Sequence, residues 1–469
     1  MALARIAPYD APTSRDFAAF VAGIGGTVIR PDDAVYDHAR EVHNATIDRR
    51  PFAIVQAASA ADVARTVVFA RETGLELAVR GGAHSLAGFG TTDGGIVLDL
   101  GLMQGLHIDP ARRLAWAQAG LRAGEYTAAV AEHGLATPFG DTGSVGIGGL
   151  TLGGGIGWLV RKYGLAIDSL VSVEIVTADG RIVIASASEN PDLFWAVRGG
   201  GGNFGVVTRF QFRLHPVSTV LGGALFLPPT RDALRGLEAV AAAAPEALTT
   251  IASLVPAPPL PFLPESIHGQ LTLAVMFVYD GDPDAGQKAL DPFRALATPL
   301  AEFVTPMPYV GIYELVKGAE QRAPASHRSL FLDTLDDDAI DEMLDRMSEP
   351  SSPLAMTQIR ILGGAMARVP ADATAFAHRD AKVMVVLITP FEDMAEAAVH
   401  AAWTHEYYEA LRPRATGAYS NFLEAEGEDR IREAYPDATY RRLAEVKRRY
   451  DPTNLFRLNQ NIAPASSVA

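Results

Sequence analysis

The chain has 469 residues, 48% of them hydrophobic and 20% charged, the make-up of a globular protein too long for one ordinary core, so two or three compact units are expected. Lys and Arg total 40 against 55 Asp and Glu, and the net charge of −15 argues against nucleic acid or an anionic membrane surface as a partner. The absence of cysteine excludes disulfides, thiolate metal sites and a thiol nucleophile. The N-terminus lacks the basic start and apolar run of a secretory signal, and no window approaches about eighteen uninterrupted apolar residues, so a cytoplasmic location with no membrane span is expected.

In chain order, helical pieces are predicted near Asp16–Ile24, then a strand at Ala53–Ala57. Ala60–Thr73 has helical spacing, with Val63, Val67, Val68 and Ala70 on one side. Strands follow at Glu76–Val79, Gly95–Leu100 and Leu114–Ala119, then a helix at Ala123–Glu132. Leu170–Thr177 and Arg181–Ala185 read as a hairpin about Ala178-Asp179-Gly180, and Val206–His215 alternates as a strand. Beyond it, strands at Leu271–Val278, Met356–Leu362 and Val383–Ile388 mix with helices at Pro283–Leu296, Asp337–Arg346 and Met394–Leu411, which suggests a sheet backed by helices. Proline clusters at 255–264 and 304–308 predict loops. The polar, basic tail 419–469 ends in a compact motif, and is expected to return and complete the first unit.

Two glycine-rich stretches carry the chemistry. The first is Arg80-Gly81-Gly82-Ala83-His84-Ser85-Leu86-Ala87-Gly88. Glycine at 81 and 82 permits positive φ and lets successive N–H groups form an anion-binding nest; Ser85 adds a hydroxyl and His84 an imidazole. Taken alone, such a histidine is as readily a turn residue satisfied by a carbonyl. The second stretch, Gly140 to Gly157, interleaves glycine with Val145, Ile147, Leu150, Leu152 and Ile156. Flexible linkers are polar, so this segment is read as buried, with bare backbone free to approach a flat ligand. In this order the pair points to a flavin site, one loop around the pyrophosphate and the other along the ring.

Competing motifs fail on context. Gly200-Gly-Gly-Asn-Phe-Gly205 matches the dinucleotide-binding pattern but is followed by a strand instead of a helix, with no acidic residue about twenty positions on. No phosphate-binding G-x-x-x-x-G-K motif occurs. His405-Glu406 begins like a zinc-protease helix but lacks the second histidine, so no metal is expected.

Arg80–Ser85, the Gly140–Gly157 run, Lys162–Asp168, Phe194–Gly205 and Tyr450-Asp-Pro through Asn459-Gln-Asn461-Ile together resemble the berberine-bridge-enzyme-like FAD-linked oxidases of the vanillyl-alcohol-oxidase (PCMH-type) superfamily, over about residues 45–215 and 415–464. Within that family the spacing is most similar to bacterial members, an amine oxidase among them. The resemblance implies an α+β fold: a two-subdomain FAD-binding domain from residues 1–215 and 419–469, and an inserted substrate domain, 216–418, of antiparallel sheet backed by helices. It implies FAD bonded at its 8α carbon to His84. The family's second attachment, a cysteine, is here Thr142 within Gly140-Asp141-Thr142-Gly143-Ser144-Val145-Gly146, so a single bond is expected. Val145 falls where the family controls oxygen access, which favours O2 as acceptor.

Cofactor contacts implied by the resemblance are Arg80 through Ser85 and Gly88 in the first loop. In the second they are Thr142 through Gly146, Gly149, Gly153, Gly154 and Gly157. Asn203, Gly205, Val207, Asn459 and Asn461 complete the set. Many relatives carry a catalytic tyrosine in Tyr-x-Asn-Tyr, whereas this chain reads Tyr419-Ser-Asn421-Phe422, and a phenyl ring accepts no proton. A base would then come from Tyr419, Glu424 or a strand residue such as Gln358 or Arg360, with Asn421 beside it; a neutral amine substrate needs no strong base. The expected function is oxidation of a small amine, alcohol or sugar-like substrate with H2O2 as product. A dehydrogenase with another acceptor, or a silent flavin-binding relative, is the alternative.

Overall fold

The computed structural model describes residues 14–316 and 322–466. Ala60–Thr73 shows how closely local chemistry sets an element. Ser59 caps its start by accepting from the Asp62 amide, and Gly74, in the left-handed region, ends it. Its Val63, Val67 and Ala70 face inward against a four-stranded sheet ordered Thr27–Ile29, Ala53–Gln56, Ile96–Asp99, Leu77–Arg80, in which the last three strands run parallel. A second, five-stranded antiparallel sheet is ordered Leu106–Asp109, Leu114–Gln118, Val206–Arg213, Leu170–Val176, Ile182–Ser186. The predicted strands and helices of this half all form, within a residue or two of their expected bounds.

An eight-stranded antiparallel sheet follows, ordered Ala301–Pro308, Thr219–Leu227, Leu271–Tyr279, Leu248–Pro256, Met356–Ile361, Val383–Pro390, Ala325–Leu332, Ala415–Gly417. Helices Arg231–Ala243, Pro283–Arg294, Asp337–Ser348 and Ala397–Leu411 bury their apolar sides against one face of it. Two expectations need correction. Residues 304–308 are strand and not loop: Ala301–Pro308 is the edge of the sheet, where a proline's missing N–H leaves no ladder partner wanting. Likewise Val255 and Pro256 finish the strand Leu248–Pro256.

The C-terminal segment packs against the N-terminal half. Leu423, Tyr435, Leu443, Val446, Phe456 and Ile462 share one hydrophobic core with the N-terminal sheets. Helix Asp437–Tyr450 fastens this return through Lys447, fully buried, whose ammonium donates to Asp451 and to the carbonyls of Asn203 and Phe456, each at 2.7 Å. The mixed helices and sheets give an α+β fold with a cleft between the N- and C-terminal core and the free face of the large sheet. Among the described residues no helix is long and apolar enough to cross a membrane.

Candidate active site

The cleft is a cavity of about 1020 Å3, at the upper end of what small-molecule and cofactor sites occupy. Its floor is made by the first glycine loop, the start of the second, residues 201–207 and the terminal motif 456–460. Its roof is the free sheet face. Met356, Gln358 and Arg360 alternate toward the cavity, while Thr357, Ile359 and Ile361 turn to the helix side. Val386 and Ile388, paired with Gln358 and Met356, extend the same face.

The first loop behaves differently from its expected geometry in one respect. Neither Gly81 nor Gly82 has positive φ; Ala83 takes the left-handed conformation, at φ 61°. Gly82 is needed for proximity, since a Cβ there would sit 2.2 Å from the Gly146 nitrogen. The two glycine stretches are therefore locked backbone to backbone. The Arg80 guanidinium points away from the cavity to Asp99 (2.6 Å) and the Ala39 carbonyl, so what Arg80 offers the cavity is main chain and aliphatic stem. Ser85 accepts from the Phe89 amide, and the Gly88 amide donates to the Ser85 carbonyl.

His84 lies in the cavity wall, stacked on His43 with ring centroids 4.1 Å apart. Burial, reinforced by His43 and Arg122 and opposed by a backbone hydrogen bond to Ser144, pulls its pKa down to about 3. The imidazole is thus neutral at ordinary pH, with a ring nitrogen lone pair available for bonding. One oxygen in the wall fits a polar guest: Asn459 Oδ1 is buried without a partner. Asn203 is held from both sides, donating to the carbonyls of Gly200 and Gln460 and accepting from the Ile462 amide.

Of the expected contacts, Arg80 through Ser85, Thr142, Val145, Gly146, Gly149, Asn203, Gly205, Val207 and Asn459 line the cavity, as do Tyr419 and Asn421. Gly88, Gly143, Ser144, Gly153, Gly154, Gly157 and Asn461 do not. Close approach at these glycines is to the protein itself; a Cβ on Gly153 would fall 2.1 Å from the Asn421 side-chain oxygen. Glu424 also lies outside the wall, bonded to Arg328 at 2.7 Å and to the His327 amide; burial pushes its carboxyl up, but those partners outweigh it and hold it below the usual range.

Tyr419 is buried, and its hydroxyl accepts from the Gly155 amide and from Asn421 Nδ2, both at 2.9 Å. Burial raises its pKa above the ordinary tyrosine value, which makes the phenol a poor base at neutral pH. Phe422 packs edge-on against it, 5.2 Å between centroids. The sequence reading passed over His43, Asp141, Met356, Val386, Ile388 and Gln460 as cavity residues. His43 belongs to no motif; the sheet residues had only strand alternation to mark them.

Residues 51–186 match the model of the FAD binding domain family, and 418–463 match that described as berberine and berberine like. The (R)-6-hydroxynicotine oxidase of Paenarthrobacter nicotinovorans is 34% identical over 95% of this chain and 98% of that protein. A xylooligosaccharide oxidase of Thermothelomyces thermophilus is 29% identical, covering 89% of each. Among solved structures, 6-hydroxy-D-nicotine oxidase from Arthrobacter nicotinovorans superposes with a TM-score of 0.84 at 29% identity, over 94% of this chain and 98% of that one. Physcomitrella patens BBE-like 1, at 24% identity and TM-score 0.86, shares the fold over 96% of this chain and 99% of its own. A neutral histidine in a glycine-built cleft, under both family matches and a relative aligned from end to end, settles the class: the chain belongs to the berberine-bridge-enzyme-like FAD-linked oxidoreductases.

Proposed function

We propose that this protein is an oxidase that removes hydride from a small organic alcohol or amine, with its FAD bonded to His84 and O2 as final acceptor. The observation that carries the reading is the neutral His84 imidazole set in the cavity wall opposite the sheet. FAD, when bound, supplies a two-electron acceptor that can pass those electrons to O2, giving H2O2. The chain's own residues do the rest. Main chain of Gly81–Ser85 forms the cradle, Asn459 has an oxygen to offer, and Asn203 is fixed by three hydrogen bonds. Tyr419 and Asn421 position the Leu150–Gly155 backbone beneath the substrate space. Thr142, in a chain with no cysteine, leaves His84 as the single attachment point.

On this reading residues 1–215 and 419–469 hold the cofactor and 216–418 the substrate, and Val145 at the cavity wall governs oxygen access. Acid precipitation tests the bond: yellow colour should stay with the wild-type pellet and move to the supernatant for His84→Ala. Oxygen electrode traces test the acceptor. Stoichiometric H2O2 with rapid reoxidation in air is expected; slow reoxidation in air with fast turnover on a quinone dye would make the protein a dehydrogenase instead.

A further inference from the structure

On the strands that roof the cavity the polar side chains are Gln358, Arg360 and His327, with Arg322 and Glu392 in the flanking segments; His327 leaves one ring nitrogen without a hydrogen-bond partner and Arg360 leaves two guanidinium nitrogens. Arg360 sits on an inner strand of the large sheet, 4% exposed, with one nitrogen, Nη2, bonded to Asp141 Oδ2 at 2.6 Å and to Gln358 Oε1 at 2.8 Å. Its Nε and Nη1 are buried without a partner. A guanidinium stays charged in a protein, and leaving its N–H groups unmatched away from water is costly. Asp141 does not make up the difference. One of its oxygens is taken by Arg360, and the other accepts from Thr142. Phe422, where relatives carry a tyrosine hydroxyl, lies under the guanidinium at 5.3 Å and offers a ring face but no acceptor. Arg360 therefore brings unused donors to a cavity wall that combines the apolar Met356, Val386 and Ile388 with Gln358, His327, Arg322 and Glu392.

We propose that Arg360 is the substrate anchor, and that it selects a largely apolar alcohol or amine carrying one acidic group, a carboxylate or an ionised phenol. This deepens the oxidase reading and rests on it for the reaction, though not for the binding. A neutral oxygen would also accept from the Arg360 donors, but an anion gains the charge-assisted strengthening that a neutral acceptor lacks. Anion binding by the guanidinium would also orient the rest of the molecule along the apolar face, toward the loop that holds His84.

The test is calorimetric titration of the purified holoenzyme with benzoate, benzamide and benzylamine, which share a ring and differ in charge. Benzoate should bind about tenfold or more tighter than benzamide, with benzylamine weakest. Arg360→Met should erase the preference, and Arg360→Lys should restore part of it. If Arg360→Met does not fold because Asp141 is left unpaired, the double variant Arg360→Met/Asp141→Asn removes both charges together. Equal affinity for the three probes in the wild type, or an unchanged ratio in either methionine variant, would overturn the proposal and leave Arg360 as a strut between loop and sheet. Flavin absorbance is read on the same samples. Its absence would count against the FAD reading alone, since the charge preference is measured by heat.

Discussion

Gly82 and Gly149 sit in similar company in the sequence and do opposite work. A Cβ on Gly82 would strike Gly146 main chain at 2.2 Å, whereas one on Gly149 would meet nothing within 4 Å. Gly82→Ala should push the two loops apart at a cost of about 1–3 kcal/mol, lowering the melting temperature and emptying the protein of flavin. Gly149→Ala, inside a helix, should leave the melting temperature of the flavin-free protein unchanged or slightly higher while reducing flavin content, because the added methyl occupies cavity space. Tyr419→Phe strips the Gly155 amide of its buried acceptor, and should cost about 1–3 kcal/mol in chemical denaturation. At this scale the motif letters picked out His84, Asn203 and two loops that line the cavity. They did not say which glycines face a guest and which face the chain, since that depends on segments far away, such as Asn421 against Gly153.

Elements were legible where one face is wet and the ends are marked. Ala60–Thr73 combines a serine cap, a left-handed glycine and an apolar side, and its predicted bounds hold. Strands Thr219–Leu227, Leu248–Pro256 and Ala325–Leu332 were not anticipated; burial on both faces suppresses the alternation of a half-wet strand. Unlike the equally buried Leu271–Tyr279 and Val383–Pro390, they break their apolar run with Gly222-Gly223, Thr249-Thr250 or Ser326-His327-Arg328-Ser329. Helix Asp437–Tyr450 also escaped notice, although it carries the tie between the terminal motif and the Asn203 loop. Lys447→Met would leave the fully buried Asp451 carboxylate unpaired and free two carbonyls. A loss of about 3–5 kcal/mol in urea unfolding is expected, with flavin released at lower denaturant than in the wild type. Unchanged stability would mean that the buried pair is not what secures the C-terminal return.

For the molecule as a whole, buried histidines set its response to acid. His215, which shares a hydrogen bond with Ser169, is pulled from the ordinary 6.5 to about 4, chiefly by burial; His378 is shifted the same way, again chiefly by burial. Below about pH 6.5 the unfolded chain takes up protons at these positions and the folded one does not. Stability should therefore fall as pH drops from about 6.5 toward 4. Melting temperatures at pH 7 and pH 5 check this: the lower value belongs at pH 5, and His215→Gln should flatten part of the difference.

Short-range chemistry in the chain was enough to determine the cofactor class and the α+β character, because loops that wrap a cofactor must carry glycine, histidine and serine at close spacing. Two things were decided only by tertiary structure. One is the roof of the cavity, since neighbouring strands far apart in sequence choose which side chains overlook it. The other is the partnering of Arg360 with Asp141, 219 positions away; no local pattern encodes that meeting, because it exists only once a sheet and a loop from opposite cores close on the same space.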